Sequence, residues 1–217
     1  RIISLKEESK TIIEAGSIYE DEGTQENDTG DGDLSSKIEV VSTVNTDKVG
    51  EYTVTYTVSD SLGNEAVEVN RVVKVVDTTA PVITLAGSAD KTVEAKSVYI
   101  DEGATAIDSL DGVLVVTSVS TVNTDVVGSY TVTYSVSDAS GNAAETVIRT
   151  VIVVDTTPPV ITLVGEAIVT VEVGSDYEDQ GTVANDSVDG DLTSKVKVTG
   201  KVDVQKVGEY QLKYNVE

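Results

Sequence analysis

Hydrophobic and polar residues alternate along this chain in short runs. In GEYTVTYTVS (residues 50–59), tyrosine and valine occupy every second position and threonine fills most of the positions between them. A two-residue period is typical of a β-strand with one buried face. The runs AVEVNRVVKVVD and ETVIRTVIVVD are similar, and each follows a glycine-containing segment, SLGN or ASGN, that predicts a hairpin loop. No segment keeps helical spacing with caps for more than a turn, so the pattern predicts an all-β fold.

The alternating pattern is repeated along the chain. The segment from Asn45 to Leu85 recurs from Asn123 to Leu163, a shift of 78 residues, and the upstream motif TIIEAGSIYEDEG recurs as TVEAKSVYIDEG and TVEVGSDYEDQG. A fixed period of this length indicates a tandem array. We therefore predict three domains, at residues 1–79, 80–157 and 158–217. We expect the third to lack its last strand, because Glu217 aligns with Ser59, ahead of the GN turn.

Each copy has the features of a β-sandwich. Several short strands with turns about every ten residues are typical of this architecture. The tyrosine of each VGxY motif stands where the chain enters an alternating strand, which is the position of a tyrosine corner in immunoglobulin-like folds. A tyrosine corner and ordinary core packing are the two interpretations open for Tyr52, Tyr130 and Tyr210.

Three motifs together carry a resemblance to a known family. DTTxPVITL, VDGDLT and VGxYTVTYxVSDxxGNxA resemble the bacterial immunoglobulin-like surface-protein repeats, which are similar in style to hyalin repeats and occur in tandem in adhesins and other large secreted bacterial proteins. The resemblance covers all three copies. It implies tandem immunoglobulin-like β-sandwich domains arranged end to end, and an extracellular location, either on a bacterial cell surface or secreted.

Charge and composition narrow the chemistry. The chain has 15 Lys and Arg against 38 Asp and Glu, a formal charge of −23, so nucleic acids and anionic lipids would be repelled. Cys, His, Met, Trp and Phe are absent, which excludes thiol chemistry, soft-metal sites and histidine base catalysis. No apolar run reaches the roughly 18 residues of a membrane span, so we expect no direct membrane insertion. Hard cations bound through oxygen remain as plausible ligands.

Acidic loops are the candidate cation sites. In an immunoglobulin-like sandwich, the loop after the second strand and the last hairpin lie at the end where the chain enters the domain. Calcium fits such loops best, because it accepts six to eight oxygens in flexible geometry. The alternative is a set of solvated turns, since Asp and Gly are favoured in turns for backbone reasons. In the second copy Val113 replaces the last aspartate of the motif, which counts against strict ligation. The predicted ligands are Asp28, Asp31 and Asp33 in the first copy, Asp77, Asp108, Asp111, Asp138 and Asn142 for the second, and Asp155, Asp186, Asp189 and Asp191 for the third.

A second acidic motif occurs once in every copy, as YEDEG, YIDEG and YEDQG. Its aspartates are Asp21, Asp101 and Asp179. We interpret them either as residues at a solvent-facing strand edge or as further cation ligands.

The linkers between copies, DTTAP and DTTPP, are short, and proline restricts both its own backbone and that of the residue before it. We therefore predict a structural extender or stalk segment of a bacterial cell-surface or secreted protein, of adhesin or surface-array type, rigidified by calcium at its domain junctions. The expected partners are neighbouring immunoglobulin-like domains of the same chain or assembly. The sequence does not identify a cell-surface ligand.

Two alternative functions remain open, whereas enzymatic activity is not expected. The repeats could recognise a carbohydrate or protein, or a neighbouring chain could donate the strand that the third copy lacks and so build a strand-exchanged filament. We do not expect an enzyme, because three near-copies leave no unique insertion for a catalytic site and there is no Trp or Phe to form a sugar platform.

Overall fold

The computed structural model describes residues 2–217, and its regular secondary structure is almost entirely β-strand. In these residues the helical segments are two short 3₁₀ turns. The chain divides into two compact units. One contains the chain up to Ala86 together with Ala104–Thr117 and Tyr134–Val147, and the other contains Gly87–Gly103, Ser118–Thr133 and Ile148–Glu217.

Repeat 1 contains two sheets. Its strands are β1 (Ile2–Leu5), β2 (Lys10–Glu14), β3 (Thr24–Asn27), β4 (Glu39–Ser42), β5 (Gly50–Thr57) and β6 (Val69–Val76), with a 3₁₀ turn at Ser35–Lys37. β1 pairs with β3, and the second sheet has the order β2-β6-β5-β4. The chain therefore changes sheets between β1 and β2. β2 runs parallel to β6, whereas the other pairs in this repeat are antiparallel.

The core of repeat 1 confirms the predicted alternation. Val54 and Tyr56 of β5 are fully buried, and Val73 of β6 packs with them. Ile3 of β1 and Leu34, just before the 3₁₀ turn, close the same cluster. The face of β5 that carries the alternating tyrosine and valine residues therefore contributes to the core of repeat 1.

Repeat 2 has the same strand arrangement with one additional short strand. Its strands are β7 (Val82–Leu85), β8 (Asp90–Glu94), β9 (Ala104–Asp108), β10 (Gly112–Leu114), β11 (Thr117–Ser120), β12 (Gly128–Ser135) and β13 (Val147–Val154). One sheet has the order β10-β9-β7 and the other the order β11-β12-β13-β8. β8 runs parallel to β13, as β2 does to β6.

Repeat 3 forms fewer strands. They are β14 (Val160–Leu163), β15 (Thr182–Asp186), β16 (Gly190–Asp191), β17 (Lys197–Thr199) and β18 (Lys213–Asn215), with a 3₁₀ turn at Thr193–Lys195. The sheets are β14-β15-β16 and β17-β18. Within residues 2–217, no strand equivalent to β6 or β13 pairs with residues 168–173. These residues form no strand, and Ile168 is 87% exposed.

The tyrosine-corner interpretation is confirmed in all three repeats. Each hydroxyl donates a hydrogen bond to the backbone carbonyl four residues upstream, which is the arrangement expected of a tyrosine corner. The pairs are Tyr52 to Lys48 at 2.8 Å, Tyr130 to Val126 at 2.7 Å and Tyr210 to Lys206 at 3.0 Å.

A buried arginine faces the second acidic motif in repeats 1 and 2. Nη1 of Arg71 on β6 donates to Oδ1 of Asp21 at 2.6 Å, and Nη1 of Arg149 on β13 donates to Oδ2 of Asp101 at the same distance. The two arginine side chains are 2% and 0% exposed. The side chains of Asp21 and Asp101 remain 22% and 24% exposed, so each carboxylate faces the buried arginine on one side and water on the other. Neither interpretation of the second acidic motif included this arginine partner.

Tyrosine hydroxyls complete these ion-pair clusters. Tyr56 donates to Asp21 at 2.6 Å, and burial and the nearby carboxylate raise the pKa of Tyr56, so its hydroxyl stays protonated. Repeat 3 keeps the bond between tyrosine and aspartate. There Tyr214 donates to Asp179 at 2.5 Å, and this bond and burial raise the pKa of Tyr214 to about 12.

Candidate functional site

Three of the predicted ligands converge at the point where the chain enters repeat 2. Asp77 lies in the linker after β6, Asp111 in the loop between β9 and β10, and Asp138 in the hairpin between β12 and β13. Each offers a carboxylate oxygen, and these oxygens lie within 4.8 Å of one another. Within residues 2–217 this is the one group of three or more acidic side chains that meets this distance. We call it the Asp77 cluster.

The loop that carries Asp111 is closed by another predicted ligand, Asp108. Oδ1 of Asp108 accepts hydrogen bonds from the backbone N–H of Leu110 at 2.7 Å and of Asp111 at 2.9 Å. Short Asp side chains commonly close turns in this way. Oδ2 of Asp111 in turn accepts the backbone N–H of Ala139 at 2.7 Å, so the β9–β10 loop is tied to the hairpin.

Asn142 ties the hairpin to the linker. Its backbone N–H donates to Oδ1 of Asp138 at 2.7 Å, and its Nδ2 donates to Oδ2 of Asp138 at 2.8 Å. The same Nδ2 donates to the backbone carbonyl of Asp77 at 3.1 Å. Burial alone would raise the pKa of Asp138, but the hydrogen bonds from Asn142 and its neighbours lower it, so the group is ionised at neutral pH.

Asp77 carries an oxygen without a partner. The residue is 8% exposed, and its Oδ1 accepts the backbone N–H of Thr79 at 3.1 Å. Its Oδ2 is buried and accepts no hydrogen bond. A buried carboxylate oxygen left without a donor is unfavourable, and two further carboxylates nearby add repulsion. Hard oxygen donors in this arrangement are suited to Ca²⁺.

The remaining predicted ligands lie outside the Asp77 cluster, and their role as ligands stays a prediction. Most of them accept backbone N–H groups two or three residues ahead, as the turn interpretation expects. Asp28 accepts from Gly30 and Asp31, Asp33 from Ser35, Asp155 from Thr157, Asp186 from Val188 and Asp189, and Asp191 from Thr193, while Asp31 accepts from Ser61 across to the hairpin. The pKa values of Asp33 and Asp191 are lowered by the hydrogen bonds from Ser35 and Thr193.

A glutamate at the end of β2 holds the first linker. Glu14 accepts the backbone N–H of Thr78 at 2.7 Å, the Thr78 hydroxyl at 2.9 Å and the Thr79 hydroxyl at 3.0 Å. β2 runs parallel to β6, so its last residue lies beside the residues that follow β6. We call this contact a linker clasp.

The second linker has the same clasp. Glu94, at the end of β8, accepts the backbone N–H of Thr156 at 2.8 Å, its hydroxyl at 2.8 Å and the Thr157 hydroxyl at 2.9 Å. In both clasps the hydrogen bond from the first threonine backbone is the largest of the effects that lower the glutamate pKa. The clasps were not predicted from the sequence. The recurrence of this glutamate in all three copies, as Glu14, Glu94 and Glu172, was the available signal.

The sheet order, the strand that changes sheets and the tyrosine corners define immunoglobulin-like β-sandwich repeats. The chain belongs to the family described as bacterial surface protein, Ig-like domain, whose model matches residues 3–75, 83–153 and 161–217. The resemblance inferred from the motifs is thereby confirmed. No helix within residues 2–217 is long and apolar enough to cross a membrane.

Similar proteins include two that are named hyalin. The chain is 38% identical to hyalin of Strongylocentrotus purpuratus over an alignment of 180 residues that covers 76% of this chain and 15% of that protein. It is 35% identical to hyalin of Lytechinus variegatus over an alignment of 136 residues that covers 58% of this chain and 25% of that protein. The chain therefore spans a quarter or less of these relatives.

Among solved structures, the likenesses are weaker. One is the M60 catalytic domain with the CBM51-1 and CBM51-2 domains of Clostridium perfringens ZmpB, at 16% identity and a TM-score of 0.38, covering 84% of this chain and 33% of that one. Another is the lipoprotein BT2262 of Bacteroides thetaiotaomicron, at 15% identity and a TM-score of 0.33, covering 68% of this chain and 98% of that one.

Proposed function

We propose that this chain is a structural extender, or stalk segment, of a bacterial cell-surface or secreted protein. Its partners would be neighbouring immunoglobulin-like domains of the same chain or assembly. Membership in a bacterial surface-protein family supports an extracellular location. Three tandem copies support a role in which length comes from repetition.

The linker clasps carry this proposal. A flexible connection between domains leaves its polar groups to water, whereas here one carboxylate holds both threonines that follow the last strand of a repeat. The second linker repeats the arrangement with the same residue types. Proline after each threonine pair removes further backbone freedom. A segment that must keep a set spacing between neighbouring domains needs connections of this kind.

The spacing between repeats 1 and 2 can be measured by a double spin label. Val41 and Val119 occupy equivalent exposed positions on β4 and β11, and the chain has no cysteine, so V41C and V119C give two unique labelling sites. We expect a single narrow distribution of label distances. Glu14→Gln, which weakens the clasp of this linker, should broaden it, while the matched change Glu94→Gln in the next linker should not. A broad distribution in the parent protein would argue against an extender with a fixed spacing.

The clasps should also respond to acid. Because the folded-state pKa of Glu14 lies below the ordinary value of 4.5, the ionised carboxylate stabilises the clasp above that pH. This contribution is lost as the pH falls through the lowered pKa. We expect the same label distance to stay narrow from neutral pH down to the ordinary carboxyl pKa and to broaden below it. In Glu14→Gln the label-distance distribution should not broaden further when the pH falls through this range. An identical acid step in Glu14→Gln would exclude Glu14 as its cause.

A further inference from the structure

We propose that the Asp77 cluster binds one calcium ion, held by carboxylate oxygens of Asp77, Asp111 and Asp138. The proposed extender function does not depend on the ion. Asp77 lies in the linker whereas Asp111 and Asp138 lie in loops of repeat 2, so the ion would also brace the junction between repeats 1 and 2. This second part of the inference rests on the proposed extender function.

The unpartnered oxygen of Asp77 points to a ligand independently of the clustering. Exposed acidic groups often lie near one another and remain hydrated, but Oδ2 of Asp77 is buried and accepts no hydrogen bond. Buried polar atoms in folded proteins nearly always have a partner. Oδ2 of Asp108, in the loop that presents Asp111, is also buried without a partner. A cation coordinated by the cluster would supply a counter-charge to these carboxylates.

The chemistry favours calcium over other cations. The cluster contains only oxygen donors, which excludes metals that prefer nitrogen or sulfur. Oxygens that lie up to 4.8 Å apart and come from three separate loops suit the large, adaptable coordination shell of Ca²⁺. Mg²⁺ requires a tight octahedron with ligands at about 2.0–2.1 Å and usually keeps several of its waters.

The complete set of ligands occurs at one junction of this chain. Repeat 1 has Asp31 and Asp60 at the positions of Asp111 and Asp138, and repeat 3 has Asp155 and Asp189 at the positions of Asp77 and Asp111. Within residues 2–217, neither of these pairs belongs to a group of three carboxylates whose oxygens lie within 4.8 Å of one another. We therefore expect one ion for residues 2–217.

This difference between repeats supplies a matched control. Asp111→Asn removes one carboxylate from the cluster, while its amide oxygen can still accept the Ala139 N–H. Asp31 accepts the equivalent bond from Ser61 in repeat 1 and lies outside the Asp77 cluster, so Asp31→Asn makes the same change away from the proposed site. Asp77→Asn tests the linker ligand and provides a second variant if Asp111→Asn affects folding.

Calcium chloride is titrated into the full 217-residue chain by isothermal calorimetry at fixed ionic strength, with magnesium chloride as the comparison. We expect one saturable Ca²⁺ site with a dissociation constant of about 10⁻⁴–10⁻³ M, the range of extracellular calcium modules. Asp111→Asn and Asp77→Asn should each weaken it at least about tenfold, and Asp31→Asn should leave it unchanged. Magnesium should bind more weakly than calcium.

Three results would overturn the proposal. They are no saturable binding up to about 10⁻² M calcium, equal binding of magnesium, and calcium binding that survives both Asp111→Asn and Asp77→Asn. Each of these would leave the label distance between repeats 1 and 2 untouched if the extender function is correct. A broad label distance with intact calcium binding would instead reject the extender and keep the site.

Discussion

Replacing Arg149 with methionine is expected to lower the free energy of unfolding of repeat 2 by about 3 kcal/mol, the lower end of the range for breaking a buried ion pair. Arg149 is fully buried, and it donates from Nη1 to Asp101 at 2.6 Å and from Nε to the Ser88 carbonyl at 3.0 Å. Methionine fills similar space but leaves the Asp101 carboxylate without its counter-charge. Because the Asp101 side chain is 24% exposed, water partly replaces the lost contact, which places the effect at the lower end.

Hydrogen–deuterium exchange resolved along the chain measures this effect in one repeat at a time. A loss of about 3 kcal/mol corresponds to a fall in amide protection of roughly 100-fold. We expect that fall on β13, while β6, where Arg71 is unchanged, serves as the internal reference. Arg149→Lys keeps the positive charge, so its amide protection on β13 should lie between that of the parent protein and that of Arg149→Met. Unchanged protection on β13 in Arg149→Met would mean that the pair does not hold the strand.

Replacing Tyr56 with alanine should destabilise repeat 1 by about 3–5 kcal/mol, the range for removing a large buried aromatic side chain. Tyr56 is 0% exposed and packs in the core with Val54 and Val73. Alanine would leave a cavity and would also remove the hydroxyl that donates to Asp21 at 2.6 Å.

Tyr56→Phe separates packing from hydrogen bonding. It keeps the ring and removes only the bond to a charged acceptor, for which about 1.5–3 kcal/mol is typical. Amide exchange on β5 is the measurement, and β12 of the unaltered repeat 2 is the reference. If Tyr56→Ala and Tyr56→Phe destabilised repeat 1 equally, the ring would contribute nothing and the packing account of this core would be wrong.

Much of the fold could be predicted because it depends on local patterns. The alternation in residues 50–59 predicted which side chains of β5 are buried, and the VGxY motif predicted the tyrosine corner. The Arg71–Asp21 and Arg149–Asp101 pairs could not be predicted in this way. They join residues about 50 positions apart, and a single arginine in a strand gives no indication of which carboxylate faces it.

The candidate site was predictable in its position but not in its membership. Knowledge that two loops and a linker meet at one end of an immunoglobulin-like domain was enough to name Asp77, Asp111 and Asp138. It could not separate them from Asp33 or Asp191, whose carboxylates accept backbone N–H groups two residues ahead.

The clasps of Glu14 and Glu94 depend on the parallel register of β2 with β6 and of β8 with β13, which the sequence pattern does not reveal.

The proposed extender function requires that tandem repetition makes the protein elongated. Small-angle X-ray scattering of the 217-residue protein tests this most directly, because it measures the radius of gyration. A single compact body of this size has a radius of gyration of about 17 Å, and one repeat alone has about 11 Å. Three such repeats touching in a row give about 27 Å. We predict a value of about 27 Å or more for the folded protein. A value near 17–21 Å, as for three repeats clustered together, would contradict the extender.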